Sequence, residues 1–149
     1  MSKLKFLVKS YEELSKDELY AILRLRSEVF VVEQTSIYQD VDNKDQKALH
    51  ILGTIGGEMI AYARIFDKGH YFKETSIGRV VVQKEQRKHR YGHELLQFSI
   101  QSVEKYFLDT SIKISAQCYL EAFYMSHGFE SKGASYLEDG IPHIAMYRS

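Results

Sequence analysis

The chain has 149 residues, long enough to bury roughly two thirds of its unfolded surface, and it is expected to form one domain over 1–149. Twenty basic residues balance twenty acidic ones, so no global field draws the protein to nucleic acid or to an anionic membrane, and neither is an expected partner. One cysteine, Cys118, excludes an intrachain disulfide and a multi-cysteine metal site; with no signal-peptide or membrane-spanning run, the cytoplasm is the expected location.

Residues 4–8 read as a first strand. Ser15 and Glu18 have capping-box spacing, and Leu19, Ile22, Leu23, Arg26, Val29 and Phe30 follow helical spacing behind them, so a helix is predicted to about Phe30. Arg26 on that apolar face reads as a structural ion-pair partner. Residues 31–49 are polar and without period, and a loop of that length in a compact domain is usually functional. A calcium loop over 40–51 is excluded, because Lys44, Asp45 and Ile51 occupy the fifth, sixth and twelfth places. What remains is a solvated acidic turn able to attract a cation. Residues 50–55 and 58–66 flank Gly56-Gly57, a hairpin signal. A second turn over 67–73 leads to an apolar strand at 77–82.

The connection over 83–91 carries Lys84, Arg87, Lys88 and Arg90 against Glu85 alone. From Gly92 a helix is marked by Leu96, Ile100, Val103 and Phe107. A strand, a cationic loop and a helix N-terminus make an anion site, since unpaired amides and the dipole point at whatever sits in the loop. Residues 111–117 alternate as a strand, 120–127 read as a short helix ended by Gly128, 134–140 hold a turn and 143–147 a last strand. The order predicts an α+β fold: a central mixed, mostly antiparallel sheet flanked by helices, with a βαβ crossover.

Arg87-Lys88-His89-Arg90-Tyr91-Gly92 resembles the pyrophosphate loop of the GNAT superfamily of N-acetyltransferases, (Gln/Arg)-x-x-Gly-x-(Gly/Ala), at its first and last positions. It departs at the fourth, where Arg90 puts a side chain and a cation in place of glycine. Tyr124, Gly128 and Phe129 match a second family segment, with Gln117 standing for the usual asparagine. Further runs resemble the ElaA-type subfamily along nearly the whole chain: Phe30-Val31-Val32-Glu33-Gln34, Tyr38 with Asp40 and Asp42, His50-Ile51-Leu52-Gly53, Ala61-Tyr62-Ala63-Arg64, Ile77-Gly78-Arg79-Val80 and Glu138-Asp139-Gly140-Ile141-Pro142-His143.

The resemblance implies acetyl-CoA (CoA) as co-substrate, no metal, and direct transfer to a small-molecule or peptide amine within a ternary complex. On that pattern Arg87, Lys88, His89, Arg90, Tyr91, Gly92 and His93 bind the pyrophosphate. Val80, Val81 and Val82 bind the pantetheine arm and polarise the carbonyl through backbone N–H groups, with Gln117 and Phe123 also along the cofactor. Tyr124 protonates the departing thiolate, a task for a phenol that stays protonated at neutral pH. Glu33 or His143 is the base, and Glu33, Gln34, Tyr38, Asp40 and Asp42 line the acceptor side. Structural readings stand beside these: Tyr124 as a core aromatic, Glu33 as a surface carboxylate, His143 as a hydrogen-bonder. His89 and His93 lack a third metal ligand, and Cys118 reads as a small buried residue rather than an acyl carrier. A sensor that binds acyl-CoA without transfer is the alternative function. A homodimer, common among such folds, is left open.

Overall fold

The computed structural model describes residues 3–149. Strand β1 (Lys5–Ser10) leads to helix α1 (Lys16–Arg26), which opens on the expected capping box. The Glu18 N–H donates to Ser15 Oγ at 3.0 Å, and the Ser15 N–H donates to Glu18 at 2.9 Å. The helix runs past Phe30, widening into a π-helical turn over Ser27–Glu33. Such turns re-aim side chains at the cost of weaker backbone bonding.

Strands β2 (Leu49–Ile55), β3 (Glu58–Phe66) and β4 (Ser76–Val82) complete an antiparallel sheet of order β1-β2-β3-β4. Gly56 (φ 57°) and Gly57 (φ 83°) supply the positive φ pair that the β2–β3 turn requires. Helix α2 (Tyr91–Phe107) crosses to β5 (Ile112–Gln117), which is followed by the short α3 (Glu121–Met125), β6 (Glu130–Glu138) and β7 (Ile141–Arg148). These last three strands form a second antiparallel sheet of order β5-β7-β6. The turn expected over 134–140 is confined to Asp139 (φ 54°) and Gly140 (φ 77°), and the residues before it are strand.

The expected mixed, mostly antiparallel sheet is present as two antiparallel parts joined across the β4–α2–β5 crossover by one parallel bridge among the described residues, Thr75 to Ile112. The Lys113 N–H donates to the Thr75 carbonyl at 2.9 Å, and Thr75 Oγ1 donates to the Ser111 carbonyl at 2.6 Å. Beyond that point β4 and β5 part. The cause lies in β4, where Tyr62 faces Val81 and Arg64 faces Gly78, leaving Arg79 and Val80 opposite Ala63 alone. An extra residue bends its strand and raises the local twist, and Arg79 takes φ 50° to make the bend.

Leu95, Leu96 and Val103 of α2 pack with Ile51, Ala63, Ile65, Ile114, Phe129 and Met146 on one side of the sheets. Ile22, Leu25 and Val29 pack with Leu52, Tyr62 and Val81 on the other. Neighbours such as Ile51 and Leu52 therefore feed opposite cores, as the two-residue period of a strand dictates. Among the described residues no helix is long and apolar enough to cross a membrane.

Candidate active site

The acids after the π-turn are ion-paired rather than freely solvated, with Asp40 and Asp45 buried and Asp42 partly exposed. Arg26 Nε meets Asp40 Oδ2 at 2.7 Å, and its Nη1 meets Asp45 Oδ1 at 2.7 Å. Arg64 forks onto Asp42 at 2.9 and 2.5 Å and reaches Asp45 at 2.8 Å. Arg79 Nε reaches Asp40 Oδ1 at 2.8 Å. Three guanidinium groups thus balance three carboxylates. Burial alone would push Asp42 upward, but the Arg64 hydrogen bonds and charge outweigh it and bring the carboxyl down to about 2. Asp40 and Asp42, expected on the acceptor side, do not line the cleft, and their charge is already spent. Their role is to pin the loop after the π-turn to the sheet. His50 closes the network: its Nε2 lies 2.9 Å from the Asp45 carbonyl, which can only accept, so Nε2 carries the proton and Nδ1 accepts from the Tyr62 hydroxyl at 2.6 Å.

Where β4 and β5 separate, a cleft of about 460 Å³ opens. One wall is Val80, Val81 and Val82, on a strand edge that has lost its neighbour: amides alternate along the strand, so Val81 turns to β3 and Val82 to the open edge, where its N–H is available to a ligand. The other wall is Gln117, Phe123 and Tyr124. Gln34 and Gln117 exchange amide hydrogen bonds at 3.2 and 3.3 Å across the gap, tying the π-turn to β5. Tyr124 is only 7% exposed and packs edge-on against Phe123 and Phe129. Its hydroxyl has no hydrogen-bond partner among the described residues, and burial raises its pKa above the usual phenol value. It therefore remains a proton donor at neutral pH.

The phosphate loop is only partly as expected. Arg90 and Gly92 line the cleft, with His93 beside them. Lys88 and His89 are solvent-exposed, and Tyr91 is turned into the core; none of the three reaches the cleft. Arg90 adopts the left-handed backbone (φ 62°, ψ 21°) that a glycine would take there. The departure in the motif thus leaves the backbone path intact and adds a cation with no ion-pair partner among the described residues. A Cβ on Gly92 would meet only the Phe123 ring, at 3.8 Å, so packing within the chain does not demand glycine there. His93 Nδ1 lies 2.9 Å from His127 Nε2, and burial with the nearby positive groups keeps His127 below its ordinary value.

Arg87 and Glu33, expected as a phosphate ligand and a base, hold each other instead. The guanidinium forks onto both carboxylate oxygens at 2.5 and 2.9 Å, and its Nε donates to the Val82 carbonyl at 3.0 Å. Both carboxylate oxygens of Glu33 are thus engaged, and neither is a free acceptor. His143 is the better acceptor. It is 6% exposed, and its Nδ1 lies 2.7 Å from the Ile141 carbonyl, so that nitrogen must carry the proton. The lone pair is left on Nε2, which has no hydrogen-bond partner among the described residues. Tyr38 lines the same end, its hydroxyl turned to Asp40 Oδ1 at 3.1 Å. Glu138 and Asp139, which the residue pattern did not single out, also line it. The Asp-Gly turn signal beside them pointed to a tight hairpin, which brings 138 and 143 together.

These features fit an acyl-CoA: an open strand edge for an amide-bearing arm, a helix N-terminus with a free arginine for phosphate, and a phenol for the sulfur. The sequence profile of the acetyltransferase (GNAT) domain matches residues 9–149. ElaA of Escherichia coli strain K12 is 41% identical over 140 residues, 93% of this chain and 92% of that protein. Among solved structures, Escherichia coli ElaA superposes with a TM-score of 0.91 at 38% identity, over 98% of this chain and 99% of that one. An acyl-CoA N-acyltransferase from Pseudomonas aeruginosa superposes with a TM-score of 0.90 at 40% identity, over 97% and 99%. Sequence and fold agree, and this chain belongs to the GNAT family of acyl-CoA-dependent acyltransferases, with the ElaA-type proteins as its relatives.

Proposed function

We propose that the protein transfers an acetyl group from acetyl-CoA to a primary amine, of a small molecule or a peptide, by direct attack within a ternary complex. The observation that carries this reading is the hydroxyl of Tyr124, without a hydrogen-bond partner among the described residues, in a cleft that also holds the unpaired Nε2 of His143. Bound there, the thioester supplies the acyl carbon and a thiolate leaving group. Arg90 and the first-turn amides of α2 hold the phosphates, and the outward-facing backbone of β4 along Val80, Val81 and Val82 orients the arm and the carbonyl.

His143 Nε2 accepts one proton from the acceptor ammonium and so frees the nitrogen lone pair. As the C–N bond forms and the C–S bond breaks, Tyr124 delivers its proton to sulfur and nitrogen releases its second proton to solvent; solvent reprotonates the phenol and takes the proton held by His143, so one proton is released per turnover. Cys118 does not line the cleft, so no acyl-carrying thiol takes part. Arg87 and Glu33 brace the cleft mouth.

Thiol release from acetyl-CoA across a panel of primary amines tests the reading. Turnover that falls about a hundredfold or more in Tyr124→Phe, with CoA affinity retained, is expected. Tight CoA binding with no turnover on any amine would overturn it in favour of a sensor.

A further inference from the structure

The cleft is electrically polarised, and its negative end has a geometry that calls for one kind of ligand. Glu33 is spent on Arg87, and Asp40 on Arg26 and Arg79. Among the described residues the charges that remain unpaired along the cleft are Arg90 at the phosphate end and Glu138 and Asp139 at the other. Glu138 is held but not neutralised. Ser115 Oγ donates to its Oε1 at 3.0 Å and is itself paired with the Tyr136 hydroxyl at 2.5 Å. The second oxygen, Oε2, faces His143 Nε2 at 3.6 Å, outside hydrogen-bond reach.

Because Nδ1 carries the imidazole proton, Nε2 and Oε2 are two acceptors facing each other with no donor between them. His143 is largely buried while the Glu138 side chain is more than a third exposed, so water reaches this end and a ligand must displace it. An ammonium group satisfies both at once, since it offers three N–H donors and a positive charge. The Asp139 carbonyl accepts from Ser36 Oγ at 2.7 Å, which seats the β6–β7 turn against the loop after the π-turn and keeps the Asp139 carboxylate at the rim of this end.

We infer that Glu138 and His143 form the acceptor subsite, with Asp139 at its rim, and that it selects aliphatic primary amines bearing no anionic group and favours those with a second positive charge. The inference deepens the acetyltransferase reading and rests on it for the reaction, but not for binding. The acceptor nitrogen enters as ammonium, donating to Glu138 Oε2 and His143 Nε2. It passes one proton to His143 and keeps its contact with Glu138 while it bonds to the acyl carbon.

A chain-length-matched series tests the claim: 1,6-diaminohexane, 1-aminohexane and 6-aminohexanoate differ only in distal charge. With acetyl-CoA, kcat/KM is expected to fall about tenfold at each step. Glu138→Gln is expected to raise the KM for the amine at least about tenfold while the KM for acetyl-CoA stays within about twofold, and Asp139→Asn to flatten the series. Ser115→Ala, which frees the Glu138 side chain and leaves the Tyr136 hydroxyl without this partner, is expected to produce a smaller rise in amine KM. Calorimetric titration of the three amines into the protein–CoA complex reads the subsite without chemistry. The same order of affinities there, with no turnover, upholds the subsite and defeats the acetyltransferase reading. Turnover with an unchanged order in Glu138→Gln and Asp139→Asn, or with 6-aminohexanoate preferred, defeats the subsite and leaves the reading. Neither binding nor turnover defeats both. A Glu138–His143 ion pair that satisfies itself would appear as indifference to distal charge, and also defeats the inference.

Discussion

Arg90 shows at the scale of one residue how strain and charge are exchanged. A side chain in the left-handed region costs about 1 kcal/mol relative to glycine, and φ 62° places Arg90 there. Arg90→Gly is expected to raise the unfolding free energy by about 1 kcal/mol in urea titration, while CoA affinity falls about tenfold for want of the cation. Equal or lower stability would mean that the guanidinium contributes contacts within the fold. His143 and Glu33 offer a second test at this scale. His143→Gln is expected to lower kcat/KM about a hundredfold, and Glu33→Gln, which removes only a brace on Arg87, less than about tenfold. The reverse ranking in steady-state kinetics would hand the proton to Glu33. The candidacy of Tyr124 and His143 was legible through the family resemblance of their segments. The preference for His143 was not, because it rests on which ring nitrogen meets the Ile141 carbonyl.

Elements depend on the ion-pair network more than on local propensity. The stretch after the π-turn has little periodicity of its own, and it is fixed by Arg26, Arg64 and Arg79, residues 14 to 39 positions away from their partners. Such separations leave no local trace, which is why the acids there read as a solvated turn. Removing one member of a buried pair leaves an uncompensated charge, so Arg64→Met is expected to cost about 3–5 kcal/mol in chemical unfolding. The network also fixes the response to acid. Asp42, at about 2, and Asp45, also held low by Arg26 and Arg64 against the upward push of burial, sit below their value of 3.8 in the unfolded chain. Stability from these groups is complete above about pH 4 and lost as pH falls toward 2. His50 acts earlier, because burial lowers its pKa from 6.5 and the unfolded chain takes up the proton first. The urea midpoint is therefore expected to begin declining below about pH 6.5 and to fall more steeply below about pH 4. His50→Gln should reduce the first decline and leave the part that belongs to His127, and a midpoint flat down to pH 3 would contradict both assignments.

At the scale of the whole molecule, the site exists because two sheets touch at Thr75 and Ile112 and then separate. The strands and helices were legible because their apolar periods of two and about 3.6 are carried by residues such as Ile51, Leu52, Leu96 and Ile100. The division into two sheets was not legible, because it follows from a bulge at Arg79, whose positive φ no residue type announces. The same division moved the acceptor end from the acids of the long loop to Glu138 and His143, which the β6–β7 turn joins. Calorimetric titration of coenzyme A into the intact protein tests most directly whether this cleft is a CoA site. The account predicts one saturable site per chain, weakened by added salt and weakened about tenfold in Arg90→Ala; no heat of binding, or binding indifferent to both salt and Arg90, would contradict it.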